Sequence, residues 1–312
     1  MTEGGYSSGR AIWSAATDRA KNISKKTGAP VNEILRRFIY ERLLARVFLQ
    51  SNNEWVLKGG TAVLARVQDA RTTKDIDLLA ELNDLDAAVD ALRRAVETDL
   101  GDHFRFVIAK VERTLNGQGQ PGVAGCSITF DPYVGTKKHS TVKVDLVVGS
   151  IMTADPEERV DTAIKMPGIR PPKLKLYPVA DHIADKLCAI QAKYGQASGR
   201  ESGRAKDLVD LVVFARTSSI EAQDLQAAIV AEWKFRGLPA EPQFAPPEVW
   251  RQQFGLLARK VAACGEFTSF DDACSLVARY LAPALVAHAV DYGRWLPDHL
   301  GWAGLLDPSD RP

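Results

Sequence analysis

The stretch VLKGGTAVLARVQDARTTKDIDLLA, residues 56–80, decides the fold of this chain. An apolar strand runs into a glycine pair and a short helix, and a second apolar strand then carries Asp75 and Asp77. Backbone N–H groups at a glycine turn before a helix attract phosphate. Two carboxylates spaced two residues apart on a strand point to the same side, and such a pair suits Mg²⁺. The stretch therefore predicts a phosphate-binding turn beside a metal-binding pair.

A third carboxylate comes from STVKVDLVVGS, residues 140–150, where the apolar residues alternate and leave Asp145 on the other side. We predict that Asp75, Asp77 and Asp145 are catalytic and bind two Mg²⁺ ions. Asp145 would hold the metal on the acceptor side and help to deprotonate the attacking hydroxyl. The alternative is structural: Asp75 and Asp77 would stand exposed on an edge strand.

The residues around the glycine pair are candidates for binding a nucleotide triphosphate. Lys58 and Thr61 flank the turn and offer a cation and a hydroxyl. Arg71 lies where the chain returns to the metal-binding strand, although a surface position would also explain it. A glycine pair alone is also common where backbone packs tightly. We predict nucleotide contacts from Lys58, Gly59, Gly60, Thr61 and Arg71.

Two later helices supply further charged candidates. In PVADHIADKLCAI, Lys186 lies at the margin of a buried stripe, from which it could reach the triphosphate or extend to water. In RAKDLVDLVVFA, Asp207 falls on the apolar side with Asp210 beside it, and buried carboxylates are costly unless paired. Asp207 could pair with Lys186, orient a loop arginine or line the site. We predict catalytic roles for Lys186 and Asp207, and nucleotide contacts from Lys186 and Asp210.

Composition narrows the class of protein. The 312 residues are 46% hydrophobic and 25% charged, which is ordinary for a globular chain. No stretch approaches the roughly 20 apolar residues of a membrane span, and the first residues lack the apolar core of a signal peptide. Four scattered cysteines without metal-type spacing favour a reduced chain. We expect a cytoplasmic monomer without membrane contacts.

The net charge of +1 hides an uneven distribution. Residues 1–60 hold ten Lys or Arg against five acids. A local basic patch can steer a polyanion towards a protein that is nearly neutral overall. The alternative is a solvated helix face.

Strands cluster in the middle of the chain and helices at its end, which predicts an α+β fold with a small mixed sheet and a helical C-terminal domain. We predict one domain of N-terminal helices and sheet over residues 1–172 and a helical domain over 173–312. Residues 149–173 contain proline and glycine and are predicted to be a connection. The predicted C-terminal helices cover residues 178–195, 203–216, 220–236, 247–263 and 269–290.

Several motifs together resemble the AbiEii/AbiGii-type nucleotidyltransferase toxins, the group that includes the MenT toxins. The matching pieces are KGGTAVLAR with RTTKDIDLL, VKVDLVVG, IADKLCAI and AKDLVDLVVFA, in the family's order and over roughly residues 50–216. The resemblance implies a DNA polymerase β-like nucleotidyltransferase core. It carries Gly59, Gly60 and Thr61 over to triphosphate contacts, Asp75 and Asp77 to metal ligands, Asp145 to the third carboxylate, Lys186 to the nucleotide, and Asp207 and Asp210 to the last acidic motif.

The resemblance also implies a function. Such a protein would transfer a nucleoside monophosphate from an NTP to the 3′ end of RNA, most often tRNA, block translation and be restrained by a cognate antitoxin protein. Two alternatives stay open. The acceptor could be a small molecule or a protein hydroxyl, or the chain could be a non-catalytic helical interaction module with structural carboxylates.

Overall fold

The computed structural model describes residues 5–49, 54–82, 84–113, 123–160, 162–191, 204–238, 241–286 and 293–303. Two helices come first, α1 (Gly9–Thr27) and α2 (Val31–Leu49). The Ser8 side chain caps the start of α1 by accepting a hydrogen bond from the Ala11 N–H. Gly28 follows α1 with a left-handed φ of 75°, and its N–H donates to the Ser24 carbonyl, which ends the helix.

One mixed sheet of eight strands follows the two helices. Its strands are β1 (Trp55–Lys58), β2 (Asp75–Ala80), β3 (Phe104–Arg113), β4 (Ala124–Val134), β5 (Lys137–Lys138), β6 (Val142–Val148), β7 (Glu157–Val160) and β8 (Lys173–Leu176). The order is β3-β4-β6-β2-β1-β8-β7, with β5 paired to β4. The pairs β2–β6 and β1–β8 are parallel and the other neighbours antiparallel. Helix α3 (Gly59–Arg66) connects β1 to β2, and α4 (Leu85–Val96) follows β2. The predicted mixed sheet is confirmed.

The rest of the chain is mainly helical, as predicted. Its helices are α5 (Val179–Gln191), α6 (Ala205–Thr217), α7 (Ala222–Phe235), α8 (Arg251–Ala258) and α9 (Phe270–Leu281). A small sheet of three strands joins them, with β9 (Ile220–Glu221), β10 (Arg294–Leu296) and β11 (Gly301–Ala303) in the order β11-β10-β9.

The described residues form two large hydrophobic cores and a small third cluster of Val56, Leu79 and Tyr177. In the first, α1, α2 and α4 pack on one face of the large sheet. The second lies among α5 to α9 and also takes in Val63 and Leu64 of α3. The helix that follows the glycine pair thus packs against the C-terminal helices, while its flanking strands belong to the sheet. The predicted boundary after residue 172 stays a prediction, and the sheet reaches past it because β8 pairs with β1.

The structure differs from the predicted elements in three places. Residues 149–173, predicted as a connection, include β7, whose four residues are all exposed and show no alternation. The helix predicted over 247–263 is divided into α8 and short 3₁₀ turns on either side. The helix predicted over 269–290 ends at Leu281 and continues as a 3₁₀ turn that contains Pro283, a residue without an N–H to extend an α-helix.

Part of the excess of positive charge in residues 1–60 is buried inside the protein. Arg42 and Arg46 of α2 are buried, and both pair with Asp102, at 2.8 Å from Arg42 Nε and 2.7 Å from Arg46 Nη2. Arg46 also donates to the Phe104 carbonyl at the start of β3. These two arginines lock α2 to the sheet, so only the remaining N-terminal cations can form a basic surface.

None of the helices in the described ranges is long and apolar enough to cross a bilayer.

Candidate active site

The three predicted carboxylates lie together on one face of the sheet. In the parallel pair of β2 and β6, Asp77 lies opposite Asp145 and Asp75 lies opposite Lys143. Paired residues of neighbouring strands point to the same side, and the apolar residues between them are buried on the other. Lys143 Nζ lies 3.3 Å from Asp145 Oδ1. The open face thus gathers three carboxylates and one lysine.

The glycine pair lies directly against this cluster. Gly59 has a φ of 58°, and a methyl group on its Cα would lie only 1.9 Å from Asp77 Oδ2. Both the backbone conformation and the close approach therefore require glycine at residue 59. A methyl group on Gly60 would lie 3.0 Å from the Arg71 guanidinium. The turn at the start of α3 is thus enclosed between Asp77 and Arg71.

Thr61 is hydrogen-bonded to the backbone of β2. Its hydroxyl donates to the Asp75 carbonyl at 2.9 Å, and the Thr73 hydroxyl donates to the same oxygen at 3.0 Å. These two bonds fix the first residue of β2 against the start of α3. A contact of Thr61 with the triphosphate stays a prediction, and its hydroxyl already has this partner.

Burial and neighbouring charges raise the pKa of one of the carboxylates, Asp77. Burial has the largest effect on this pKa; Asp145 and Asp75 raise it further, while Lys186 and Lys206 oppose the rise. Burial works against a charged Lys143, yet Asp145 and Asp75 raise its pKa overall. The cluster is therefore short of positive charge, and a bound cation would favour the ionised form of Asp77.

A buried ionic cluster adjoins the open face. Lys186 Nζ on α5 lies 2.8 Å from Asp207 Oδ1 and 2.8 Å from Asp210 Oδ2 on α6. Arg71 binds Asp210 through two hydrogen bonds of 2.7 and 2.9 Å, and Arg204 Nε lies 2.6 Å from Asp207 Oδ2. Asp207 thus pairs with Lys186, one of its three predicted possibilities, whereas Arg71 is held by Asp210. A place of Asp207 in the lining of the active site stays a prediction.

The pKa values follow this pairing. Burial alone would raise the pKa of Asp210, but Lys186 and Arg71 lower it to about 2. Burial alone would lower the pKa of Lys186, but Asp207 and Asp210 raise it well above the ordinary lysine value. The pKa of Arg71 is raised in the same way, against burial, by Asp210, then Asp207 and Asp77. Lys186 and Arg71 therefore stay charged beside Asp77.

Lys58 turns towards the helical part of the molecule. Its Nζ donates to Ser150 Oγ at 3.1 Å, lies 4.2 Å from the centre of the Tyr177 ring and is 4.0 Å from Asp185 Oδ1. Asp185 in turn pairs with Arg236 at 2.7 Å. The predicted contact of Lys58 with the triphosphate stays a prediction, and the structure gives its ammonium group these three partners.

Lys206 is a site candidate that the sequence analysis missed. It is exposed on the first turn of α6, next to Asp207, and its charge acts on Asp77. Partial burial lowers the pKa of Lys206, and the cations Arg204, Arg71 and Lys186 lower it further. Within the described part of the chain it forms no ion pair. The motif AKDLVD places Lys206 on the outer side of the helix, where nothing in the sequence distinguishes it from other exposed lysines.

The donor set fits a hard cation in chemistry. Carboxylate oxygens are the ligands that Mg²⁺ prefers, and Asp77 and Asp145 are neighbours in register. Among the described residues, no three His, Cys, Asp or Glu side chains are arranged closely enough to hold a metal ion. Asp145 is turned to Lys143 instead. The assignment of metal ligands therefore stays a prediction that rests on register and donor type.

The chain is similar to a family of known proteins and to several solved structures. The family model of the nucleotidyl transferase AbiEii toxin, type IV toxin–antitoxin system, matches residues 42–274. The chain is similar to the structure of MenT4, a nucleotidyltransferase toxin from Mycobacterium tuberculosis H37Rv, with 17% identity, a TM-score of 0.48 and coverage of 87% of this chain and 97% of that one. It is also similar to JHP933 from Helicobacter pylori, with 13% identity, a TM-score of 0.41 and coverage of 80% and 94%. No curated protein matches.

The family assignment rests on the family model. Its match covers well over half of the chain and includes every residue predicted for the site. The chain therefore belongs to the AbiEii family of nucleotidyl transferase toxins of type IV toxin–antitoxin systems, and it is a nucleotidyltransferase.

Proposed function

We propose that this protein transfers a nucleoside monophosphate from an NTP to the 3′-hydroxyl of RNA, that tRNA is the acceptor and that the reaction depends on Mg²⁺. One observation carries the proposal: Asp77 lies in register with Asp145 and in contact with Gly59. A turn suited to phosphate and a pair of carboxylates suited to a cation therefore meet at one point. The family supplies the reaction class, and the acceptor and the metal are proposed.

Each residue at this point has a task in the transfer. Asp75, Asp77 and Asp145 would hold two Mg²⁺ ions, which supply charge to polarise the α-phosphate and to activate the acceptor hydroxyl. The backbone N–H groups of Gly59 and Gly60, at the start of α3, would bind the triphosphate. These groups position the reactants and stabilise charge, so the enzyme needs no covalent nucleophile.

The positively charged side chains near Asp77 are of two kinds, one exposed and the other held by ion pairs. Lys206 is exposed and free to move onto the leaving pyrophosphate, so we assign it the role of a mobile phosphate ligand. Lys186 and Arg71 are held by Asp207 and Asp210, which balance much of their charge, so we assign them the role of favouring the ionised form of Asp77 from fixed positions. The catalytic role predicted for Asp207 then becomes a positioning role, in which it holds Lys186 in place.

The family implies an antitoxin partner as well as a nucleotide substrate. We propose that a cognate antitoxin protein restrains this enzyme, that tRNA modification blocks translation and that the reaction takes place in the cytoplasm, where tRNA and NTPs are found.

Purified protein incubated with each α-labelled NTP, Mg²⁺ and total tRNA tests the proposal. Label is expected in tRNA with at least one NTP, and chelation of Mg²⁺ is expected to abolish it. Asp77→Asn should lower the rate by at least about 10³-fold, because it removes a carboxylate at the reacting centre. The intact mass of the product tRNA then identifies the base and the number of nucleotides added.

A matched control separates loss of chemistry from loss of the fold. Asp90→Asn changes an exposed aspartate on α4 outside the site and should leave the rate unchanged. Label found in protein or in small molecules instead of RNA would move the acceptor to the alternative class. Label in tRNA that Asp77→Asn does not diminish would refute the site itself.

A further inference from the structure

A row of polar side chains leads away from the carboxylate cluster along β4. In the antiparallel pair of β4 and β6, Ser127 lies opposite Asp145. Ser127, Thr129, Asp131 and Tyr133 alternate with buried residues, so all four share the face that carries the carboxylates. The row therefore begins beside the proposed reaction centre and ends at Tyr133.

Within the described residues, the two sides of this part of the sheet differ in burial. Cys126, Ile128 and Phe130 point into the first core, whereas Tyr133 and its companions on the other side are half-buried. On the next strand, Arg105 pairs in register with Tyr133 and its guanidinium lies 4.5 Å from the centre of the tyrosine ring. The far end of the row is thus an accessible aromatic ring with an arginine over it.

This open face carries both signs of charge. Outside the three carboxylates, register places four cations on it (Arg105, Lys110, Lys138 and Lys143). The same register places two further acids there, Asp131 and Glu112. Lys138 lies opposite Tyr133 and is 2.5 Å from Asp131. Three of the cations pair with acids on the same face, Lys143 with Asp145, Lys138 with Asp131 and Lys110 with Glu112, which leaves Arg105 as the cation without an acidic partner among the described residues. A cation attracts the phosphates of a nucleic acid, while an aromatic ring accepts a base by stacking.

We propose that this face binds the single-stranded 3′ end of the acceptor RNA, with Tyr133 and Arg105 stacking a base that lies a few nucleotides upstream of the reacting hydroxyl. The proposal rests on the proposed function and names the part of the acceptor that the site recognises.

The spacing supports a single strand rather than a duplex. Tyr133 lies six positions after Ser127 along β4. Because a strand rises about 3.3 Å per residue, the row is about 20 Å long. A short run of extended nucleotides can cover this length and place its last hydroxyl at the carboxylates. Proteins read single-stranded RNA by stacking unpaired bases on aromatic rings, whereas bases inside a duplex are already stacked on one another.

The test compares two aromatic–arginine pairs. Tyr133→Leu removes the ring at the proposed platform, and Phe267→Leu removes a half-buried ring that lies 6.0 Å from Arg216 in the helical part. Affinity for a fluorescent RNA that ends in an unpaired 3′ segment is measured by anisotropy, and KM for RNA and for NTP are measured in the transfer reaction. Tyr133→Phe keeps the ring, and Arg105→Gln changes an exposed residue that the fold does not require.

Tyr133→Leu should weaken RNA binding and raise KM for RNA by about tenfold, because stacking contributes about 1–3 kcal/mol per base. KM for NTP should stay unchanged, and Tyr133→Phe and Phe267→Leu should behave as the wild type. Arg105→Gln should weaken RNA binding in the same direction.

Two results would overturn the proposal. If the wild type labels RNA and Tyr133→Leu and Arg105→Gln bind it equally well, the platform is refuted and the proposed function stands. If these variants instead weaken binding of the antitoxin and leave RNA affinity unchanged, the face is a protein interface. A wild type that labels no RNA at all would refute the proposed function, which is a separate outcome.

Discussion

Two groups of charged side chains lie next to each other in this protein and differ in how their charges are balanced. In the buried group, Lys186 has both Asp207 and Asp210 at 2.8 Å. In the open group on the sheet face, Asp77 lies in register with another aspartate, Asp145. The buried group is neutralised by its own residues, whereas the open group has more negative charge than its neighbours can offset.

The difference separates a structural task from a functional one. Buried charges are tolerated only when each has a close partner, which explains why the pKa of Lys186 rises and that of Asp210 falls. In the open group, burial and neighbouring acids raise the pKa of Asp77. The residues around Asp77 do not fully offset the repulsion between it and the neighbouring carboxylates. A cation from solution would therefore bind favourably at this point.

The largest expected effect on stability comes from the buried group. Lys186→Met leaves two buried carboxylates without their shared cation, although Arg71 and Arg204 still contact them. Removal of one member of a buried ionic group costs about 3–5 kcal/mol in free energy of unfolding. Urea denaturation measures this loss.

Lys206→Met is the matched control for Lys186→Met. It removes a lysine from the same neighbourhood, but an exposed one, so the free energy of unfolding should change by no more than about 0.5 kcal/mol. Equal losses in the two variants would mean that the buried group is not the structural one.

The second prediction tests the contact that joins the glycine turn to the open group. Gly59 and Gly28 both have left-handed φ angles, of 58° and 75°. Nothing lies within 4 Å of a methyl group on Gly28, whereas a methyl group on Gly59 would meet Asp77 Oδ2. Gly28→Ala should therefore cost only about 1–2 kcal/mol of backbone strain.

Gly59→Ala should cost more stability than Gly28→Ala and should also displace the Asp77 carboxylate. A displacement of about 1 Å at a reacting centre lowers a rate about 10²-fold, so the transfer rate should fall at least that far, while Gly28→Ala keeps the wild-type rate. Thermal unfolding and the labelled-NTP assay measure the two effects. A Gly59→Ala variant that is as active as Gly28→Ala would remove the turn from the site.

The sequence predicts the composition of the open group but not its geometry. Alternation along β2 and β6 is enough to place Asp75 and Asp77 on one side and Asp145 on one side of its own strand. That the two sides coincide depends on β6 pairing with β2 in parallel, an arrangement that local pattern does not specify. The sequence motifs identify the three carboxylates, whereas the register that brings Asp77 opposite Asp145 is known only from the fold.

For the buried group, the sequence predicts that the carboxylates need cations, but it does not predict which residues supply them. Asp207 lies on an apolar helix face and therefore requires a cation, and the sequence offers Lys186 as one candidate for this cation. Lys58 illustrates the limit, because a lysine beside a glycine pair suggests phosphate binding. Its partners Tyr177 and Asp185 come from a distant part of the chain and are invisible to local spacing. Lys206 was missed for the converse reason, since an exposed lysine on a helix resembles any other.

The smallest expected effect is a difference in pH dependence between Asp77 and Asp210. The pKa of Asp210 lies at about 2, below the ordinary value of 3.8, so ionised Asp210 stabilises the fold above pH 3.8. This contribution, about 2 kcal/mol, is lost as the pH falls from 3.8 through 2. The pKa of Asp77 is raised, so the fold favours its protonated form. The contribution of Asp77 is present below pH 3.8 and is lost as the pH rises through the raised pKa.

The two asparagine variants should therefore diverge. Asp77→Asn should be more stable than the wild type at pH 7, with a gain that shrinks towards pH 3, because the repulsion that it removes exists only when Asp77 is ionised. Asp210→Asn should be less stable than the wild type at pH 7, with a loss that also shrinks as the pH falls. Urea denaturation from pH 3 to 7 in the presence of a chelator measures both, with Asp90→Asn expected to stay within about 0.5 kcal/mol of the wild type throughout. If Asp77→Asn lost stability at pH 7, the open group would be as well balanced as the buried one, and the reason for expecting a cation there would disappear.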